Sequence, residues 1–349
     1  MNPAKTFLLF TLFTSLTLFS VGCAPKQAIK PDLVWPSAPE KPRIKFLRSI
    51  QGKSDFTTSK MDAFKKTLAG ETSLERVVKP YGLAIDSKGR LLVADAGNRC
   101  VLVFDENAKK SGDILTYIGT SGAGQLTEPA GVAVDDEDRV YVTDVRLNAV
   151  FVFDAEGNLL RNIKDTVAFQ RPAGIAYNKV TQEIIVVDTK AYHAKCFRKD
   201  GSFVRTIGTK GSREGEFNLP SNIVCDTDGY IYIVDTMNFR VQVFDKDGKF
   251  VSTFGQADNV PGSFSRPRGI TVDSDNNIYV ADAAFDNIQI FQRDGSLLLY
   301  FGAAGKGDGQ FQLPAGLCFD QKNRLYVADQ YNGRVQVFQY IQYKAETGK

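Results

Sequence analysis

The sequence predicts an all-β fold: a six-bladed β-propeller of four-stranded antiparallel blades, its ring closed by an N-terminal strand. Three observations predict it. First, a frame opening on proline recurs at Pro80, Pro129, Pro172, Pro220, Pro267 and Pro314, spaced by 49, 43, 48, 47 and 47 residues; a period of that length marks an array of supersecondary units that bury a core only by stacking. Second, a β-branched and aromatic run in every unit ends in aspartate, at Asp95, Asp144, Asp188, Asp235, Asp282 and Asp329, and a phenylalanine follows nine residues later, at Phe104, Phe153, Phe197, Phe244, Phe291 and Phe338. Third, the sixth unit runs out after three strands, at Gln339 to Tyr343, while an unassigned alternating run, Arg43 to Gly52, lies upstream.

Taken in chain order, residues 1–22 read as a signal peptide. A basic start, Met1 to Lys5, precedes an apolar stretch, Thr6 to Val21, that is too short and too polar for a membrane span. Gly22-Cys23 then resembles a bacterial lipobox, with Val21 and Gly22 fitting the pattern and Ser20 departing from the usual leucine. That resemblance implies lipidation of Cys23, which becomes the first mature residue, and, with Ala24 rather than Asp next to it, an outer-membrane destination. Residues 23–42 form the anchor and a tether whose Pro25, Pro31, Pro36 and Pro39 are expected to keep it extended. Trp35, the single tryptophan, is expected to pack on the propeller flank.

The propeller is expected over 43–345, with 346–349 as a tail. Residues 43–52 alternate like Gly248 to Gly255 and supply the strand missing from the sixth blade, so that truncation near residue 53 destabilises the whole ring. Residues 59–70 place Met61, Phe64 and Leu68 at helical spacing behind a capping Ser59 and before Gly70, an amphipathic helix. Blades follow from residue 79. In the fourth, Asn222 to Asp226, Ile231 to Asp235, Arg240 to Phe244 and Phe250 to Phe254 are four strands joined by Asp-Gly and Asn-rich turns. Glycine two places after the proline (Gly82, Gly131, Gly174, Gly269, Gly316) removes a side chain where inner strands crowd the axis, and Asn222 replaces it in blade 4.

Pro314-Ala-Gly-Leu-Cys-Phe-Asp320 with Leu325-Tyr-Val-Ala-Asp-Gln-Tyr-Asn-Gly-Arg-Val-Gln-Val-Phe338 is the fullest copy of the frame, and it resembles the NHL repeat. The resemblance covers about three quarters of the chain and implies the fold; function resides in the site carried on it.

Most residues that look chemical have a duty in the repeat. The strand-ending aspartates suit turn capping. Asp226-Thr-Asp-Gly229, Asp245-Lys-Asp-Gly248 and Asp273-Ser-Asp-Asn-Asn277 resemble pieces of a calcium loop but lack its distal bidentate glutamate, and read as hairpin turns. Gly302 to Gly309 lacks phosphate-loop spacing and reads as a linker between blades. Cys100, Cys196, Cys225 and Cys318 lie in different blades without metal-ligand spacing and are expected to be unpaired core residues. No cofactor and no metal are expected. NHL-like lyases use zinc held by several histidines, whereas this chain has one, His193, and Glu128 is the single carboxylate beside a blade proline, where lactonase-type propellers hold a divalent ion.

With 43 basic and 40 acidic residues, the charge balance gives no reason to expect nucleic acid. The reading is a non-enzymatic, exported and lipid-anchored module on a bacterial envelope that binds a protein, peptide or glycan and touches the membrane through its anchor alone. Its alternatives are a sensor ectodomain working through a partner and a lactonase- or lyase-like enzyme. The ligand-binding face is placed where the repeat is broken: His193 against Arg240 and Arg334 at the fifth place after the aspartate, Asn222 in place of glycine, and Arg268, with Tyr81, Arg99, Arg146, Tyr192 and Tyr331 nearby. Basic and aromatic groups in that mixture suit an extended peptide, an acidic glycan or a protein loop.

Overall fold

The computed structural model describes residues 32–56, 75–163 and 168–343. The leader, Cys23, the helix expected over 59–70 and the 346–349 tail lie outside the described residues. Five blades are continuous antiparallel meanders in which chain order is also order from the axis outward. Blade 1 consists of Pro80–Ile85, Leu91–Asp95, Cys100–Phe104 and Leu115–Ile118, and blade 4 of Pro220–Cys225, Ile231–Asp235, Arg240–Phe244 and Phe250–Phe254. The inner strands of blades 2, 3 and 5 are Pro129–Val134, Pro172–Asn178 and Pro267–Val272.

Blade 6 is built from both ends of the chain. Pro314–Phe319, Arg324–Asp329 and Arg334–Tyr340 come from the C-terminal region, and Ile44–Ile50 completes the sheet by pairing antiparallel with Arg334–Tyr340, Ile44 opposite Tyr340 and Ile50 opposite Val335. The tether departs from its expected extended course. Val34–Trp35 turns back as a fifth strand on Ile44–Ile50, because the Trp35 ring finds apolar cover 5.4 Å from Phe301 and 6.0 Å from Phe338.

Packing explains the repeat. Six buried apolar clusters are present, each joining two neighbouring blades. The third-strand phenylalanines fill them, Phe104, Phe153, Phe197, Phe244, Phe291 and Phe338 all being buried. Ile44 lies in the cluster between blades 5 and 6 and Ile50 in the cluster between blades 6 and 1, so the clasp strand ties two interfaces at once. At the axis the inner strands meet edge to edge; a Cβ on Gly131 would collide with the Ala173 carbonyl of the next blade, which is why that place in the frame is glycine. Cys100, Cys196, Cys225 and Cys318 are free, as expected, and burial pushes the thiols of Cys100 and Cys196 up to about 12.

Candidate functional site

The strand-ending aspartates build one end of the axial channel. All six are fully buried. Each accepts N–H bonds from the segment just before the blade proline, a reach beyond the local turn expected from sequence, and all but Asp188 also accept from their own turn. Asp95 accepts from Val78 N at 2.7 Å and Lys79 N at 3.0 Å, and also from Gly97 N and Asn98 N in its own turn. Asp188 holds Arg171 N at 2.8 Å, Asp282 holds Arg266 N at 3.0 Å and Asp144 holds Glu128 N at 3.0 Å. In blades 1, 2, 3 and 5 a buried carboxylate thus clamps the backbone of the residue preceding the proline and leaves that residue's side chain at the rim, whereas in blades 4 and 6 it holds Asn218 N and Gln312 N, one residue earlier.

The next residue is aimed by a different device. In all six inner strands the register shifts within the Pro-x-Gly segment, as between Pro80 and Leu83 or Pro267 and Gly269, a bulge that re-aims the intervening side chain. Together the two devices line a mouth of about 390 Å³ whose walls include Lys79, Arg171, Lys190, Arg266, Arg268 and Glu128. Arg268 is pre-set there, its guanidinium 5.1 Å from the Tyr81 ring centroid and Nη1 donating to Gln330 Oε1 at 3.1 Å. Thr236 Oγ1 donates to Pro267 O at 2.9 Å and Ser221 Oγ to Arg268 O at 3.1 Å, fixing the wall between blades 4 and 5.

Of the residues the sequence singled out, Tyr81 and Arg268 meet in this mouth. Asn222 lies in a narrower cavity of about 200 Å³ lined by the inner strands, its Oδ1 accepting from Ile223 N, beside Gly174 of blade 3. Arg99 and Arg146 are exposed on hairpin turns, Tyr331 is 73% exposed, and Tyr192 is half-buried with Lys210 Nζ 4.8 Å from its ring; none of these four lines the mouth.

Arg240 and Arg334, at the fifth place after the aspartate, are held by partners within the protein. Arg240 Nε donates to Asp235 Oδ2 at 2.9 Å and Arg334 Nε to Asp329 Oδ2 at 2.7 Å, and each Nη2 donates to two loop carbonyls. They neutralise a buried carboxylate and tie down the linker between blades. In blade 3 that duty moves two residues on. His193 holds the arginine's place, and Lys195 Nζ reaches Asp188 Oδ2 at 2.9 Å and Ala168 O at 2.6 Å. His193 Nε2 is buried without a hydrogen-bond partner, and burial, then Lys195, lowers its pKa. At His193 the break in the repeat is thus a repacking around Asp188.

Of the residues missed, Lys79, Arg171, Lys190 and Arg266, all but Lys190 carried a signal. Reading down the place before each proline gives Lys79, Glu128, Arg171, Leu219, Arg266 and Leu313, a column in which three of six are cations. Among the described residues no group of three His, Cys, Asp or Glu side chains is placed to hold a metal ion, and the mouth offers the single carboxylate Glu128.

The NHL repeat matches residues 78–104, 126–153 and 311–338, and a family described as a 6-bladed beta-propeller matches residues 220–288. The chain carries NHL repeats on a six-bladed propeller. No curated protein sequence matches it. Among solved structures this NHL propeller is similar to a virginiamycin B lyase from Staphylococcus aureus, at 16% identity and TM-score 0.54, over 76% of this chain and 96% of that one. A gluconolactonase from Xanthomonas campestris matches at 18% identity and TM-score 0.58, over 76% and 87% of the two chains. An auxiliary nutrient binding protein from Bacteroides thetaiotaomicron matches at 15% and 0.59, over 76% and 69%. At these identities the likeness is one of fold.

Proposed function

We propose that this NHL propeller is a binding module, exported to a bacterial envelope and anchored there through Cys23, and that it engages a protein, peptide or glycan ligand at the axial mouth. The observation that carries the reading is the mouth's set of exposed cations. Lys79, Arg171, Lys190 and Arg266 have no side-chain hydrogen bond or ion pair among the described residues, although Arg48, Arg90, Arg139, Arg205, Arg293 and Arg324 elsewhere on the propeller are all paired with carboxylates. Charge of one sign gathered at one concavity, with no carboxylate paired to it, is a surface suited to an anionic group. A lyase or lactonase reading draws on the fold likeness alone, since the chemistry of a metal-assisted site needs several convergent donors and the mouth has one carboxylate.

The test is cross-linking and affinity recovery of the full-length protein from its native envelope beside the double variant Arg171→Ala/Arg266→Ala. A partner captured by the parent and lost by the folded variant is the expected result. Capture indifferent to the two changes refutes the mouth as the site. In parallel, Cys23→Ser should release the protein from the membrane fraction, and retention there refutes the anchor.

A further inference from the structure

The class of ligand follows from where the mouth's charges sit around the ring, given the binding reading above. Lys79 belongs to blade 1, Arg171 and Lys190 to blade 3, and Arg266 and Arg268 to blade 5. At the corresponding places blade 2 contributes Glu128 and blade 4 Leu219 and Met237, and blade 6 reaches the mouth through Gln330, one place after its aspartate. In a closed ring of six, blades 1, 3 and 5 are alternate members, so positive charge faces the axis from three sides. Five cations and one carboxylate share this mouth, while the whole chain carries a formal charge of only +3.

Like charges held around one concave opening repel each other, and low-dielectric walls strengthen that repulsion, so the arrangement favours whatever anion neutralises it. Arg171, Arg266 and Arg268 present planar forks suited to carboxylate or phosphate oxygens, and Arg268, stacked on Tyr81 and held by Gln330, keeps most of its donors free. The volume of about 390 Å³ lies at the low end of the range for small-molecule pockets, roughly 300–1,000 Å³. We infer that the mouth seats a polyanionic group of the peptide or glycan ligand, of tricarboxylate or phosphosugar size, whose two or three oxyanions reach blades 1, 3 and 5. Glu128 sits between two cationic blades, where it accepts a hydrogen bond from a ligand hydroxyl or amine and opposes a ligand that is anionic all round.

Isothermal titration of the full-length protein with citrate, inorganic pyrophosphate and acetate tests this. Citrate or pyrophosphate is expected to bind at least tenfold more tightly than acetate, with affinity falling steeply as salt rises. The stronger of the two identifies carboxylate or phosphate as the preferred group. Arg171→Ala and Arg266→Ala, on exposed side chains, should each weaken binding about tenfold or more, and Glu128→Gln should tighten it. Lys246→Gln, in a hairpin turn at the opposite end of blade 4, should leave it unchanged. Equal affinity for acetate and citrate overturns the proposal, as does a loss with Lys246→Gln matching that with Arg171→Ala, or an oligonucleotide binding tighter than either small polyanion. If small anions fail while envelope capture still depends on Arg171 and Arg266, the polyanion inference is wrong and the binding reading stands.

Discussion

Removing residues 1–52 tests ring closure most directly. The truncation deletes Ile44–Ile50, whose Ile44 and Ile50 are fully buried in two different inter-blade clusters. Burying an isoleucine contributes about 1.5–3 kcal/mol, so the two side chains account for roughly 4 kcal/mol. The ladder to Arg334–Tyr340, with partners from Ile44↔Tyr340 to Ile50↔Val335, adds hydrogen bonds worth about 1 kcal/mol each. Phe46, 5.6 Å from Phe338, and Trp35 on Phe301 add aromatic contacts. The sum is on the order of 8 kcal/mol, comparable with the ~5–15 kcal/mol that stabilises a whole domain. The truncated chain is therefore expected to lose its cooperative urea transition by far-UV circular dichroism and to regain it when a peptide spanning residues 33–52 is added. Ile44→Ala and Ile50→Ala should each cost ~2–5 kcal/mol and should add, because they lie in separate clusters. A truncated protein with the parent's midpoint and slope would refute ring closure by this strand.

The clasp also carries an acid-sensitive tie. Glu106 accepts from Arg324 at 2.6 Å and from Arg48 of the clasp strand at 2.9 Å, and the Arg324 bond first, then both charges, hold its carboxyl below the usual range against the opposing effect of burial. A lowered folded pKa means that the stabilisation is complete above the unfolded value of 4.5 and is lost as pH falls through the folded value. Glu106→Gln should therefore melt below the parent at pH 7, and the gap should narrow as pH falls below 4.5 in thermal scans; a gap that stays constant down to acid unfolding would sink the assignment. Lys195→Met leaves Asp188 buried without its cation and should cost about 3 kcal/mol in urea unfolding, with Asp188→Asn in the same chain recovering part of the loss. Equal midpoints for Lys195→Met and the parent would show that the backbone N–H bonds to Asp188 suffice.

What the sequence made legible was local. Period-two alternation and Asp-Gly turns placed the blade 4 strands within two residues of Pro220–Cys225 and its neighbours, and the orphan run at 43–52 was assigned to blade 6 because both its pattern and its absence elsewhere were visible. Trp35 packs on the flank as expected, although its strand with Ile44–Ile50 was not foreseen, since a two-residue strand has no periodicity to read. The site was legible only in part because it is assembled from six places far apart in sequence. Breaks in the repeat drew attention to His193, Arg240 and Arg334, yet that place in the frame points into the packing beneath the aspartate, where an arginine serves a carboxylate and two loop carbonyls. Tyr81 and Arg268 follow a blade proline, where the inner strand nears the axis, and the register shift there turns both side chains to the mouth.

The aspartate clamp explains why the residue before the proline is informative. Asp95, Asp188 and Asp282 grip Lys79, Arg171 and Arg266 by their backbone N–H groups, and any residue except proline offers that donor. The side chain at this place is exposed in all three and contributes nothing to the inter-blade clusters. Folding is thus nearly indifferent to its identity, whereas the places at Asp235, Arg240 and Gln242 are coupled by hydrogen bonds to one another and to the linker. Like charges brought to one mouth from alternate blades repel, so they add nothing to the stability of the empty ring. An arrangement that the fold does not need and that electrostatics disfavours is what the proposed anionic ligand would account for.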